Sequence, residues 1–237
     1  MKNRSSRPAR DTRIPPAQPR TRHLSRIEKA EITRRHLFDA AVEIVGELGY
    51  AETSIVNITQ RAGVGQGTFY NYFETRQDLL DQLLPAISLE LMNHVRDAVR
   101  QAQTPVARER ARLTAFFSFL EKAPHLFKIL DEGPVHAPEG FRKHLELQTE
   151  SYRRALRYEF DHGFLRITDL DELEVVTQIL LSSRQYLSAR FCFVEGTFKR
   201  PPDFVVEAYM KMVEGFLFAP RAFDGADIPP APSQVLK

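Results

Sequence analysis

The chain has 237 residues, 43% of them hydrophobic and 27% charged, enough apolar content to bury a sizeable core in one large or two modest domains. Its one cysteine, Cys192, excludes an intrachain disulfide and a multi-cysteine zinc site, and no apolar run approaches the ~20 residues that a membrane-spanning helix needs. Formal net charge is +2, yet eleven Lys and Arg against three acids leave +8 on residues 1–35 and −6 on the rest, a basic arm on an acidic body.

Residues 1–24 carry Pro8, Pro15, Pro16 and Pro19, which forbid a continuous amphipathic helix, and they lack the apolar core of a secretory signal. They read as a disordered basic arm, either a solvated tail or a source of extra phosphate contacts, on a soluble, cytoplasmic protein. A first helix follows over 25–48, with Leu37, Ala41, Ile44 and Leu48 as its apolar stripe and Gly49 as its stop.

The stretch Thr53 to Arg76, TSIVNITQRAGVGQGTFYNYFETR, is the most informative in the chain. Ile55, Ile58 and Ala62 form one helical stripe and Phe69, Tyr72 and Phe73 another, on either side of a Gly-Val-Gly corner, which is the pattern of a helix-turn-helix. Thr59 stands where the helices cross, a place that Ala fills more easily; Gly63 supplies the φ > 0 turn and Phe69 the apolar anchor. Helix two is expected to start after Thr53 as N-cap, helix three to span 66–72 and helix four to open at Arg76. The three glycines Gly63, Gly65 and Gly67 do not fit a dinucleotide loop, because a helix precedes them and Thr68 stands at the last Gly position.

A recognition helix enters the major groove by its N-terminal end, so Gln66, Thr68 and Asn71 are the candidate readers of base edges. The hydroxyls of Tyr70 and Tyr72 are placed to donate to phosphate oxygens, while Phe69 and Phe73 point inward. Thr75 to Asp78 reads as a capping box that would bring a helix N-terminus and the Arg76 cation to one phosphate. Thr53, at the start of helix two, is counted with these DNA-contacting residues.

Helix four carries a stripe at Leu80, Leu84, Ile87, Leu91 and Val95 with Pro85 inside it, so a kink or break is expected near Asp81. Breaks at Thr104-Pro105, Ala123-Pro124, Gly133 to Pro138, Gly163 and Gly196 to Pro202 divide the rest into helical segments 105–122, 124–131, 138–162, 169–195 and 202–218. No strand-like alternation occurs. The expected fold is all-α: a helix-turn-helix head over 25–75, a helical body over 76–220 and a loose tail over 221–237. Cys192, between Phe191 and Phe193, reads as a buried small hydrophobe.

The last two long segments are apolar on more than one face. In 169–195, Leu173, Val176, Leu180, Leu187 and Phe191 form one stripe and Val175, Ile179, Tyr186 and Phe193 another; in 202–218, Phe204, Val205, Ala208 and Met212 oppose Val206, Tyr209, Val213 and Phe216. Such helices need cover on two sides, from a second copy or from a thick monomeric core. Phe116, Phe117, Leu120, Phe127, Leu130, Tyr152, Leu156 and Leu187 are the candidate walls of an apolar ligand cavity enclosed by 105–122, 138–162 and 169–195. Arg184, a cation in an apolar pattern, either holds a ligand carboxylate or pairs with an internal acid such as Glu150.

The run GVGQGTFYNYF followed by ETRQDLL resembles the signature of the TetR family, over about residues 37–84. Two departures, Gly65 in place of the usual capping Ser and Gln66 in place of a frequent Lys, leave the recognition helix without a side-chain cap and imply an altered base preference. The resemblance implies a homodimer built on the last two long helices, a pseudo-palindromic double-stranded DNA operator, and repression relieved by a small, largely apolar effector. No cofactor is implied. The seven His are scattered, without metal-ligand spacing or a nucleophile motif, so an enzyme and a helical protein-interaction scaffold stand as alternative readings.

Overall fold

α1 (Arg26–Leu48) begins where Ser25 accepts the Glu28 amide and Glu28 returns a carboxylate to the Ser25 amide, a full capping box. α2 (Ile55–Ala62) and α3 (Gln66–Phe69) meet at Gly63, whose φ of 69° is left-handed. A Cβ on Gly63 would meet nothing, so conformation alone demands glycine there. Thr59 is buried in the crossing, and its hydroxyl donates to the carbonyls of Ile55 and Val56 within its own helix, which removes the polar cost of placing Thr there. Leu37, Ala41, Ile44, Ile58, Phe69 and Phe73 close the head's core.

The structure, a computed structural model, describes residues 25–123, 125–194 and 197–223. The expected basic arm over 1–24 and the tail from 224 onward lie outside the described residues. After the head come α4 (Arg76–Val99), α5 (Pro105–Lys122), α6 (His125–His136), α7 (Pro138–Asp161), α8 (Leu170–Phe191) and α9 (Asp203–Phe216). α4 is the spine: it packs on α5 and α7 most extensively and also touches α1 and α6. A two-residue hairpin, β1 (Phe193–Val194) with β2 (Thr197–Phe198), joins α8 to α9. Among the described residues the fold is all-α apart from this hairpin, whose strands are too short to give a period-2 signal, and an isolated bridge between Leu165 and Phe218.

Six sequence expectations change. α3 stops at Phe69, and Tyr70 to Tyr72 form a turn. The N-cap of α2 is Ser54, whose hydroxyl accepts the Asn57 amide at 3.1 Å, one residue after the expected Thr53. α4 runs unbroken through Pro85. α6 continues past 131 to His136, because Glu132 accepts the Tyr50 amide at 2.9 Å and His136 stacks on the Tyr50 ring at 5.9 Å. The segment expected to stay helical to 195 leaves the helix at Phe191, and residues 220–223 form a 3-10 turn with Ala222 buried, so the loose tail cannot begin at 221. Cys192 is fully buried, and desolvation raises its thiol pKa to about 11.

Candidate nucleic-acid interface and effector cavity

In the head, Gln66 and Asn71 are exposed, Tyr70 is 58% exposed, and Thr68 and Tyr72 are half-buried. None of these five side chains bonds to another described residue, so each keeps its donors and acceptors for a ligand. Gly65 caps α3 without a side-chain bond, and Phe69 and Phe73 are buried. Thr75 accepts the Asp78 amide at 3.0 Å, while the Asp78 carboxylate reaches the Glu74 amide rather than that of Thr75.

Two expected DNA contacts are corrected. Thr53 is buried at 1% exposure and its hydroxyl donates to the Gly49 carbonyl at 2.8 Å, so it faces the head's interior. Arg76 is half-buried and its guanidinium donates to the backbone carbonyls of Thr53 and Tyr50, which ties the start of α4 to the α1–α2 turn. That role serves carbonyls of the turn between α1 and α2 and ties it to the start of α4. A second tether, Arg61 to Glu43 and Glu47, locks α2 to α1.

In the body, two lobes of ≈ 80 Å³ each share Leu91, Gln148 and Arg184 in their walls. One is mainly apolar and is lined by Leu84, Ile87, Phe116, Leu120, Leu126 and Leu130. The other is lined by Arg96, Arg100, Arg112, Ser151 and Tyr152 beside the shared residues. Of the expected cavity walls, Phe116, Leu120, Leu130, Tyr152 and Arg184 therefore line the lobes. Phe117 and Leu156 are plain core, and Phe127 stacks on Phe193 at 4.6 Å; none of the three reaches a lobe. Leu187 instead lines a groove of ≈ 400 Å³ on α8 and α9, with Tyr186, Phe191, Phe204 and Met212.

Arg184 does not pair with Glu150, which binds Arg153 and Arg154. It is 7% exposed, lies over the rings of Phe116 at 4.8 Å and Tyr152 at 5.6 Å, and donates to the Gln148 amide oxygen at 2.6 Å. Among the described residues no carboxylate pairs with it, and desolvation lowers its pKa. Nearby, Glu109 accepts hydroxyl bonds from Tyr152 and Tyr209 and pairs with Arg112, which also reaches Glu159 at 2.9 Å. This buried network joins α5, α7 and α9, and burial raises the Glu159 pKa. His144 bonds the Ser88 hydroxyl at 2.6 Å, linking α7 to α4.

Sequence reasoning missed Gln148, Arg96 and His144. Each sits on an amphipathic helix among ordinary polar neighbours, and only the packing of α4 against α7 turns these positions inward. The i, i+4 pair Gln148 and Tyr152 was the one available signal, since it places both on a single helix face.

The chain matches the family model of bacterial regulatory proteins, tetR family, over residues 37–83. It is 38% identical over 64 residues to the HTH-type transcriptional regulator YvdT of Bacillus subtilis, 27% of this chain and 31% of that protein. The HTH-type transcriptional regulator BetI of Brucella suis is 23% identical across 90% of each chain. The transcriptional regulator FadR of Bacillus subtilis, solved in complex with stearoyl-CoA, shares the fold with a TM-score of 0.56 at 20% identity, over 65% of this chain and 83% of that one. The first curated matches span 31% and 59% of those relatives' own lengths. Architecture and exposed recognition turn together define an all-α protein with a helix-turn-helix head on a helical body. Over residues 37–83 the head is similar to the tetR family of bacterial regulatory proteins, and the body shares the fold of solved structures such as FadR.

Proposed function

We propose that the protein is a cytoplasmic, homodimeric repressor that holds a pseudo-palindromic DNA operator and is released from it by a small, largely apolar effector. The observation that carries this reading is α4: it starts at the recognition turn and, 24 residues long, runs on to contribute Leu84, Ile87 and Leu91 to the body's cavity. Whatever fills the cavity acts on an element continuous with the head. That FadR, a neighbour in fold, holds stearoyl-CoA supports the idea that such a body can take up an aliphatic chain.

Dimerisation is supported by the apolar residues left uncovered on α8 and α9. Tyr186 is 71% and Phe204 63% exposed, and Val175, Ile179, Met212 and Phe216 lie open beside them. A contiguous apolar face of this kind marks an interaction surface, and a two-fold interface would set the spacing of the two recognition turns. In the head, Gln66 and Asn71 are the base readers, with Thr68 beside them; Tyr70 and Tyr72 meet phosphates.

The test is a titration of the full chain on DNA captured from the genome and on scrambled duplexes, across a salt series. Specific binding with a steep inverse salt dependence is expected, because phosphate neutralisation releases counterions. Asn71→Ala and Gln66→Ala should change base preference, whereas Tyr70→Phe should weaken binding on every sequence alike. Salt-independent or absent DNA binding sinks the proposal.

A further inference from the structure

The polar lobe between α4, α7 and α8 has an unbalanced wall. Four guanidinium groups line it, those of Arg96, Arg100, Arg112 and Arg184, and among the described residues no carboxylate does. Arg112 is neutralised from behind by Glu109 and Glu159, and Arg100 at the exposed rim lies 3.5 Å from Asp97. Arg184 is the deep guanidinium without a carboxylate in direct contact, Glu109 acting on it only through space. Two further donors on the same wall are buried without an acceptor: the side-chain amide nitrogen of Gln148, a residue 6% exposed, and Nε of Arg96. Gln148 turns its oxygen to Arg184, which leaves its NH₂ free to donate.

Buried N–H groups without acceptors are costly and call for an explanation, and here two of them share a wall with an unpaired cation. The complement of that set is an anion with several acceptor oxygens. A monocarboxylate balances one positive charge, whereas Arg184 with Arg96 presents two. The adjoining lobe shares Leu91, Gln148 and Arg184 and is walled by Leu84, Ile87, Phe116, Leu120, Leu126 and Leu130, with His144, Thr149, Gln178 and Gln185 along its polar side.

We propose that the effector is an amphipathic phosphate ester, its dianionic head bound by Arg184, Gln148 and Arg96 and its alkyl or acyl chain lying in the apolar lobe. This rests on the effector-responsive reading above and assigns the chemistry of its ligand. The phosphate supplies acceptors to donors that now have none, and charge-assisted bonds to guanidinium are the strong kind.

The experiment is calorimetry of the full chain with octyl phosphate, octanoate and octanol, at mildly alkaline pH where the phosphate monoester is a dianion. Octyl phosphate should bind about tenfold tighter than octanoate, and octanol weakest. Arg184→Met should lose about tenfold or more for the phosphate and change octanol binding far less. Arg96→Gln, at a half-buried position that leaves the core intact, should lose several-fold for the phosphate alone. Binding of octanol or octanoate as tight as that of the phosphate, or no binding of any of the three, overturns the proposal. Salt-dependent DNA binding by the same preparation is read separately, so loss of the ligand assignment does not carry the regulatory reading with it.

Discussion

At His144, burial against α4 and the Arg184 guanidinium both disfavour a second proton, and the ring pKa falls from 6.5 to about 4. Ser88, Phe141, Gln148 and Arg184 are the groups around it. Between those two pH values the unfolded chain holds more protons than the folded one. Stability is therefore full above about pH 6.5 and declines as pH falls toward 4, by roughly 3 kcal/mol at one pKa unit per 1.36 kcal/mol. Urea denaturation of wild type and His144→Gln at pH values across that window checks this: the variant's stability should fall less steeply, and parallel curves would refute the assignment. Arg76 carries a second prediction. Since its guanidinium serves the carbonyls of Thr53 and Tyr50, Arg76→Ala should destabilise the head by about 1–3 kcal/mol and weaken binding to operator and scrambled duplexes alike, read by thermal melts and titrations. A change of base preference with unchanged stability would return Arg76 to the DNA surface. At this scale the sequence was legible where periodicity decides, as for Ile58, Phe69 and Phe73. It was not legible where two neighbours have equal capping chemistry, as for Thr53 and Ser54, or where a charge finds its partner across the fold, as for Arg184.

Pro85 illustrates what an element can absorb. Its ring removes the amide that would serve the Asp81 carbonyl, yet α4 stays continuous. The exposed carbonyl is covered by the start of α7: a Cβ built on Gly140 would stand 2.4 Å from Asp81 O, and the Gly140 amide donates to the Asp81 carboxylate at 2.9 Å. The close approach that a proline forces open is thus filled by a glycine from another helix, a compensation that no local window contains. Gly140→Ala has no room against backbone and should cost about 1–3 kcal/mol, with Pro85→Ala a milder change. A melt in which Gly140→Ala matches wild type would show that α7 does not rest on this carbonyl. Helix existence and most boundaries were readable because Pro and Gly mark them. The faces of α9 were not, because its apolar residues surround the axis: Val205, Tyr209, Met210 and Val213 turned out to be the buried set, mixing the two expected stripes.

For the whole molecule, the head is held at two places. α4 enters it directly, and α6 clamps it through Glu132 on the Tyr50 amide and the Tyr50 hydroxyl on the Ile129 carbonyl. α6 also contributes Leu126 and Leu130 to the apolar lobe, so both tethers have cavity walls on them. Met212→Asp on the open face should leave the fold intact and yield a monomer in sedimentation, with operator affinity falling sharply as the two heads lose their fixed spacing. Wild type that sediments as a monomer at micromolar concentration would remove the dimer instead.

The lobes of ≈ 80 Å³ are far below the ~300 Å³ at which ligand pockets begin, and under the proposed function that difference would be the basis of switching. A roomy preformed cavity could fill without moving its walls; this one must widen, and α4 and α6 are the walls tied to the head. Any ligand that enters thus prefers the widened arrangement, and only such a difference in affinity can shift the equilibrium. Reciprocity then fixes the size of the effect on both sides: operator must weaken ligand binding by the same factor that ligand weakens operator binding, of the order of 5- to 150-fold. Calorimetry of octyl phosphate with the free protein and with the operator complex, set beside operator titrations with and without octyl phosphate, measures both factors independently. They should agree and exceed unity. Equal affinity for free and DNA-bound protein would mean that the cavity opens without moving the heads, and the tethers through Glu132 and Arg76 would then be structural supports with no part in release.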